Sequence, residues 1–178
     1  MTARAWLGLG ANLGDAEGTL RQAVTGLAQL EDCQLAAVSS LYRTPPWGVE
    51  DQPDFLNAVV ALDTDLEPDI LLPRLLALEA ALGRVRSGER WGPRAIDIDL
   101  LMQDHHKINE AWLSLPHPRL AQRAFVLLPW LELAPRLEVP GLGPLADLLD
   151  ALPPAERKSL VRVARPETWQ DSIQVTDT

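Results

Sequence analysis

Ala95-Ile96-Asp97-Ile98-Asp99-Leu100-Leu101-Met102 alternates apolar and acidic side chains before turning wholly apolar. A period of two marks a β-strand, because successive side chains leave opposite faces. Ile96, Ile98 and Leu100 then point one way, and Asp97 and Asp99 the other. This strand closes a series. Ala3 to Leu9 reads as a buried strand, and Gly8 to Gly14 as a glycine-rich strand-to-helix turn. Leu20, Ala23, Val24, Leu27 and Leu30 recur at helical spacing, which predicts a helix over about Asp15 to Glu31. Leu35 to Tyr42 and Phe55 to Leu62 are further strands, separated by a proline-rich loop from Thr44 to Pro53. A second helix starts at Pro68, presents Leu71, Leu75, Leu78 and Leu82 on one face, and stops at Gly83; Pro73 should either start it or kink it. The order β-α-β-β-α-β predicts a ferredoxin-like α+β sandwich with extra C-terminal elements. A third helix is expected within Arg119 to Leu133 and a helical stretch over Leu145 to Leu152. Residues 1–165 read as one catalytic domain and 166–178 as a mobile polar tail.

The bulk properties narrow the function. The chain has 178 residues, 47% of them hydrophobic, enough for one domain with a sizeable core. A net charge of −9 argues against general binding to nucleic acid or anionic membranes and suits small-molecule chemistry. Cys33 is the single cysteine, so no internal disulfide forms. No signal segment or membrane span is read, and the expected setting is a cytoplasmic monomer.

Asp97 and Asp99 stand about 6.6 Å apart along the strand, and both can turn oxygen ligands toward hard cations. Such a pair also fits an ordinary strand with a polar face. Aspartate is a poor strand former, however, and like charges on one face repel, so a compensating cation is needed. Arg84, Arg86, Arg90 and Arg94 fall just before the pair. Guanidinium forks grip phosphate oxygens in pairs, although an arginine-rich loop can also be merely solvated. Together the two features point to phosphoryl transfer from a metal-bound nucleotide. The Gly8 to Gly14 segment is neither a dinucleotide fingerprint, since Leu13 stands where the last glycine belongs, nor a P-loop, since no Gly-Lys-Ser/Thr follows. His117, framed by Pro116 and Pro118, is either a structural hydrogen-bonder or a catalyst. His105-His106 reads as a polar turn and a poor zinc site.

Several motifs occur in a fixed order: Tyr42-Arg43-Thr44-Pro45-Pro46, Asp51-Gln52-Pro53-Asp54-Phe55-Leu56-Asn57, Gly83-Arg84-Val85-Arg86, Glu89-Arg90-Trp91-Gly92-Pro93-Arg94, Asp97-Ile98-Asp99, Pro116-His117-Pro118 and Arg123-Ala124-Phe125. In this order they resemble the 6-hydroxymethyl-7,8-dihydropterin pyrophosphokinase family over roughly Ala5 to Pro135. The resemblance implies transfer of the β,γ-pyrophosphate of ATP to the pterin hydroxymethyl oxygen, with release of AMP, in folate biosynthesis. It implies that Asp97 and Asp99 hold two magnesium ions, and that Arg84 and Arg94 support catalysis from a loop. Arg86 and Arg123 match phosphate contacts. Glu79, Trp91, Leu100, Ser114 and His117 match positions around the nucleotide. Thr44, Pro46, Phe55, Asn57 and Phe125 match the pterin pocket, where two aromatic rings enclose the bicyclic ligand. Gly10–Ala16, Thr44–Pro53 and Gly83–Arg94 match the family's moving loops. Four positions depart from the usual pattern: Ala11 replaces a serine, Leu76 a common glutamine, Trp112 an arginine of some members, and Phe55 a frequent tyrosine. A nucleotidyltransferase using the same carboxylate pair, and an RNA-binding module of this fold, are the competing readings.

Overall fold

The computed structural model describes residues 2–46, 50–83 and 95–169. In chain order the main elements are β1 (Ala3–Ala11), α1 (Ala16–Ala28), β2 (Cys33–Val38), β3 (Leu41–Thr44), β4 (Phe55–Thr64), α2 (Pro68–Ala81) and β5 (Asp97–Gln103). A small hairpin follows, β6 (Ile108–Asn109) with β7 (Ser114–Leu115). A 3-10 turn at Leu120–Gln122 leads into α3 (Ala124–Leu133). Next come a hairpin of β8 (Glu138–Val139) and β9 (Gly143–Pro144), then α4 (Leu145–Asp150), α5 (Pro154–Lys158), β10 (Val161–Ala164) and α6 (Pro166–Trp169).

The central sheet is antiparallel, in the order β10-β3-β4-β1-β5, with β2 also pairing with β4. Taken as one broken strand, β2 and β3 complete the ferredoxin-like order, so the expected fold class is the observed one. Ala5, Leu7, Leu9 and Ala11 face α1 and α2, where Leu20, Ala23, Val24, Leu27, Leu71 and Leu75 complete a fully buried core. Gly26 eases the close approach of these two helices: a Cβ there would lie 2.6 Å from Leu78 Cδ1, so that side chain would have to move. The opposite face is covered too: Trp6, Val59, Ala61, Leu101 and Met102 pack on Leu127 and Trp130 of α3 and on Leu145 and Leu149 of α4. The sheet is therefore the middle of three layers, which explains why β1 is apolar almost throughout rather than alternating.

Three expectations needed correction. Leu35 to Tyr42 is not one strand. At Ser39 and Ser40 the ladder is interrupted and side chains take over its hydrogen bonds. Ser39 Oγ accepts from Val59 N–H (2.9 Å), and Glu132 accepts from Ser40 N–H (2.7 Å). Buried backbone groups must find such partners, and here they do. Pro73 does not start α2, which begins at Pro68 and runs through it. The carbonyl that loses its helical partner belongs to Asp69, on the exposed first turn where water can replace the bond. The packed chain also extends beyond residue 165. β10 adds a strand to the β3 edge, and Trp169 is fully buried with its indole N–H donating to Ser39 O (3.0 Å). Residues 170–178 lie outside the described part. No helix among the described residues is long and apolar enough to cross a membrane.

Candidate active site

The site begins with the register between β1 and β5. Gly8 lies opposite Asp99, and Gly10 opposite Asp97. Directly paired residues share a face, so both carboxylates stand above two positions that have no side chain. The same face continues into β4, where Asn57 pairs with Gly10. The glycines read from sequence as a turn are thus strand residues, and their hydrogens leave an opening in the middle of the sheet. Ile96, Ile98 and Leu100 point to the other face and are buried, as the alternation requires.

Over this opening lies a first cleft of about 780 Å³, including its mouth. Gly8, Gly10, Thr44, Phe55, Asn57 and Phe125 are among the residues that line it. Asn57 is buried and donates through Nδ2 to Thr44 Oγ1 (3.0 Å), which fixes its amide beside Gly10. Asn12, at the exit of β1, donates to Gln52 Oε1 (2.9 Å) and Pro53 O (3.0 Å), tying the β1 exit to the β3–β4 loop. Two aromatic rings and a fixed amide suit a flat, hydrogen-bonding heterocycle.

A second cleft opens on the other side of the carboxylates. Leu72, Leu76 and Glu79 of α2 form one wall, and the β6–β7 hairpin with Trp112 and Ser114 the other; His117 and Arg123 close the end. Asp97, Asp99 and Arg123 line both clefts. A group bound in each would therefore meet its neighbour at the carboxylates. Glu79 is buried in α2 and accepts from Ile98 N–H (2.6 Å), which anchors the strand between the two aspartates.

The charges are arranged around that junction. Arg123 Nη1 sits 3.5 Å from Asp99 Oδ2, and its guanidinium lies 5.7 Å from the Phe125 ring centre. Burial lowers the Arg123 pKa, and the Asp99 charge opposes that shift. Burial likewise pushes the His117 imidazole below its ordinary value; Asp99 raises it, while Arg123 and Arg119 lower it further. His117 Nδ1 accepts from Arg119 N–H (3.1 Å), so Nε2 is the protonated nitrogen of the neutral ring. His117 is consequently both a structural hydrogen-bonder and a cleft residue.

Among the sequence-predicted site residues, Asp97, Asp99, Thr44, Phe55, Asn57, Phe125 and Arg123 meet at the first cleft, and Glu79, Leu100, Ser114 and His117 at the second. Pro46 does not line the first cleft. Pro45 does, while Pro46 borders a neighbouring pocket with Phe125 and Glu156. Arg84, Arg86, Trp91 and Arg94 lie outside the described residues, as does Arg90. The sequence reading treated Gly8 and Gly10 as part of a turn that permits close approach of a ligand, and did not single out Pro45 as a pocket residue. Two glycines spaced by two, like the aspartates they face, were the available signal. Among the described residues no group of three or more histidines, cysteines or carboxylates could hold a metal ion. Two adjacent carboxylates still fit hard cations that draw their other ligands from phosphate and water, the usual habit of magnesium.

A family model described as 7,8-dihydro-6-hydroxymethylpterin-pyrophosphokinase matches residues 6–135. The chain belongs to this pyrophosphokinase family. A 2-amino-4-hydroxy-6-hydroxymethyldihydropteridine pyrophosphokinase of Methylorubrum extorquens is 51% identical over 138 residues, covering 78% of this chain and 87% of that protein. The enzyme of the same name from Mycobacterium tuberculosis is 42% identical over 176 residues, covering 92% of this chain and 90% of its own. The fold is shared with a solved Plasmodium falciparum HPPK-DHPS in complex with pterin and p-hydroxybenzoate, at a TM-score of 0.66 and 17% identity. That match covers 84% of this chain but only 42% of the longer Plasmodium chain. The pyrophosphokinase match ends at residue 135, so α4, α5, β10 and α6 lie beyond it.

Proposed function

We propose that this chain transfers the β,γ-pyrophosphate of ATP to the hydroxymethyl oxygen of 6-hydroxymethyl-7,8-dihydropterin, giving the pterin diphosphate and AMP in folate biosynthesis. The observation that carries the reading is that Asp97, Asp99 and Arg123 belong to both clefts. A transfer between two bound substrates needs the acceptor oxygen and the phosphorus in line, with negative charge neutralised between them. The first cleft suits the pterin: Phe55 and Phe125 offer ring faces, and Asn57 offers an amide held by Thr44. The second cleft suits the nucleotide, with Glu79, Leu100, Ser114 and His117 around it.

Asp97 and Asp99 would hold two magnesium ions, which, when bound, neutralise the polyphosphate and polarise the β-phosphorus. Arg123 sits at the junction and can follow negative charge onto the bridging oxygens, within reach of Asp99 when the site is otherwise empty. Neutral His117 can donate from Nε2 toward a phosphate oxygen. Arg84, Arg86, Trp91 and Arg94 are assigned to the same nucleotide side by their place in the family motifs. The substrates are small, both clefts are built by one chain, and the charge of −9 disfavours nucleic acid. These features support an enzyme working on small molecules, which we place as a monomer in the cytoplasm.

The test is incubation with ATP, magnesium and hydroxymethyl-dihydropterin followed by product identification. AMP together with a pyrophosphorylated pterin supports the proposal. Release of inorganic diphosphate with a nucleotidylated product would instead favour a nucleotidyltransferase.

A further inference from the structure

Phe125 borders two spaces. One is the first cleft, and the other is a pocket of about 430 Å³, mouth included. Thr44 and Pro45 also line both. Part of the second space is built by chain that lies beyond the family match, through Glu156, Ser159 and Leu160. Leu160 is the apolar one of these three. It is half-buried and packs against the same hydrophobic cluster as Phe125. Its place is fixed on both sides. α5 packs on α3, the helix that carries Phe125, and Leu160 N–H donates to Arg157 O at its end (3.4 Å). From the next residue the chain is a strand on β3, with Val161 opposite Arg43 and Arg162 opposite Tyr42. β3 ends at Thr44, whose hydroxyl holds the Asn57 amide. Leu160 thus marks the point where a segment packed on α3 becomes a segment paired with β3, and those two elements carry Phe125 and Thr44.

We infer that Leu160 is a positioning residue for the pterin: from outside the first cleft it limits the movement of the Phe125 ring and steadies the end of β3. This rests on the reading of the first cleft as the pterin site. A stacking ring contributes affinity only if it keeps its plane and distance when the ligand enters. The pocket shared by Phe125 and Leu160 gives that ring room to leave the cleft, and apolar bulk in the pocket takes the room away. Truncating the bulk leaves a void, and neighbouring side chains relax into such voids. Leu160 touches neither substrate. Its effect is to have the cleft formed before the pterin arrives, which spares the ligand the cost of ordering it.

The experiment compares wild type with Leu160→Ala and two milder variants, Leu160→Val and Leu160→Met. Calorimetry measures the binding of 6-hydroxymethyl-7,8-dihydropterin in magnesium and a saturating ATP analogue that carries methylene in place of the α,β-bridging oxygen. The affinity of the analogue alone is measured beside it. Leu160→Ala should weaken the pterin by roughly fivefold and leave the analogue unchanged. Leu160→Val should show a smaller loss, and carries the test if the alanine variant does not fold. Leu160→Met, which conserves volume, should bind the pterin like wild type. In turnover the KM for the pterin should rise, while kcat and the KM for ATP stay near wild type. A lower melting temperature with unchanged pterin affinity in Leu160→Ala and Leu160→Val would overturn the inference and leave Leu160 a packing residue only. Equal weakening of the analogue would also overturn it, by showing that the whole site had loosened. If wild type bound the analogue but no pterin, the reading of the first cleft would itself fail, and the inference with it.

Discussion

Gly10 stands directly opposite Asp97 across the β1–β5 ladder, and its missing side chain is what gives the carboxylate a cleft to face. A Cβ at Gly10 would lie 3.0 Å from Asn57 Oδ1, tight enough that the amide must move. At Gly8 the nearest atom is Leu101 Cδ2 at 3.4 Å, an ordinary contact. Gly10→Ala should therefore displace the amide from Thr44 and raise the pterin KM about tenfold, corresponding to roughly 1.4 kcal/mol. Gly8→Ala should change the fold's stability little. Steady-state kinetics on both variants checks this, and identical pterin KM values for Gly10→Ala and wild type would remove Asn57 from the pocket's working geometry.

Tyr42 donates its hydroxyl to Glu132, joining β3 to α3 behind the first cleft. Burial raises its pKa well above the ordinary value, and the hydrogen bond and charge of Glu132 raise it further. Below about pH 10 the phenol is protonated in folded and unfolded chains alike. As pH rises past that value the unfolded chain loses the proton first, so stability is lost with rising pH. Tyr42 is the only tyrosine in the chain, which makes the measurement direct. Phenolate absorbance should appear only on unfolding, well above pH 10, and Tyr42→Phe should flatten this part of the stability profile. A phenolate signal at about pH 10 in the folded protein would show the phenol to be solvated.

Trp169 lies beyond the expected domain boundary yet is fully buried, and its N–H occupies the carbonyl exposed by the strand break at Ser39. Replacing a core tryptophan with alanine costs about 3–5 kcal/mol. Trp169→Ala should lose stability on that scale in urea unfolding, and Trp169→Phe a smaller part, because it keeps most of the packing but leaves Ser39 O without its indole partner. A loss under about 1 kcal/mol for Trp169→Ala would mean that α6 is not docked in solution.

Much of this fold is legible in the sequence because the core writes a period. The helical spacing of Leu20, Ala23, Val24 and Leu27 and the alternation around Asp97 and Asp99 each name an element and its buried face. Signals failed where tertiary structure overrides local chemistry. Gly8 and Gly10 carry turn propensity, but pairing with β4 and β5 on both sides holds them extended. Ser39 and Ser40 sit between apolar runs, and only Glu132 and Trp169, 92 and 130 residues away, explain the break. β10 is four residues long with Val161 and Val163 exposed, so it carries no burial pattern to read. The candidate site was legible as charge, in Asp97 and Asp99, and as family motifs, which alone brought in Arg123. Its division into two clefts sharing those three residues became visible only in three dimensions.

The central claim is that the Asp97–Asp99 pair, at the junction of the clefts, works on the transferred group and not on the fold. The most direct measurement is magnesium-dependent turnover by Asp97→Asn, made beside its thermal stability and its affinity for the pterin. Asparagine keeps the size and removes the charge, so stability and pterin affinity should stay near wild type while kcat falls by at least about 10²–10³-fold. Near-normal magnesium-dependent turnover by this variant would contradict the claim.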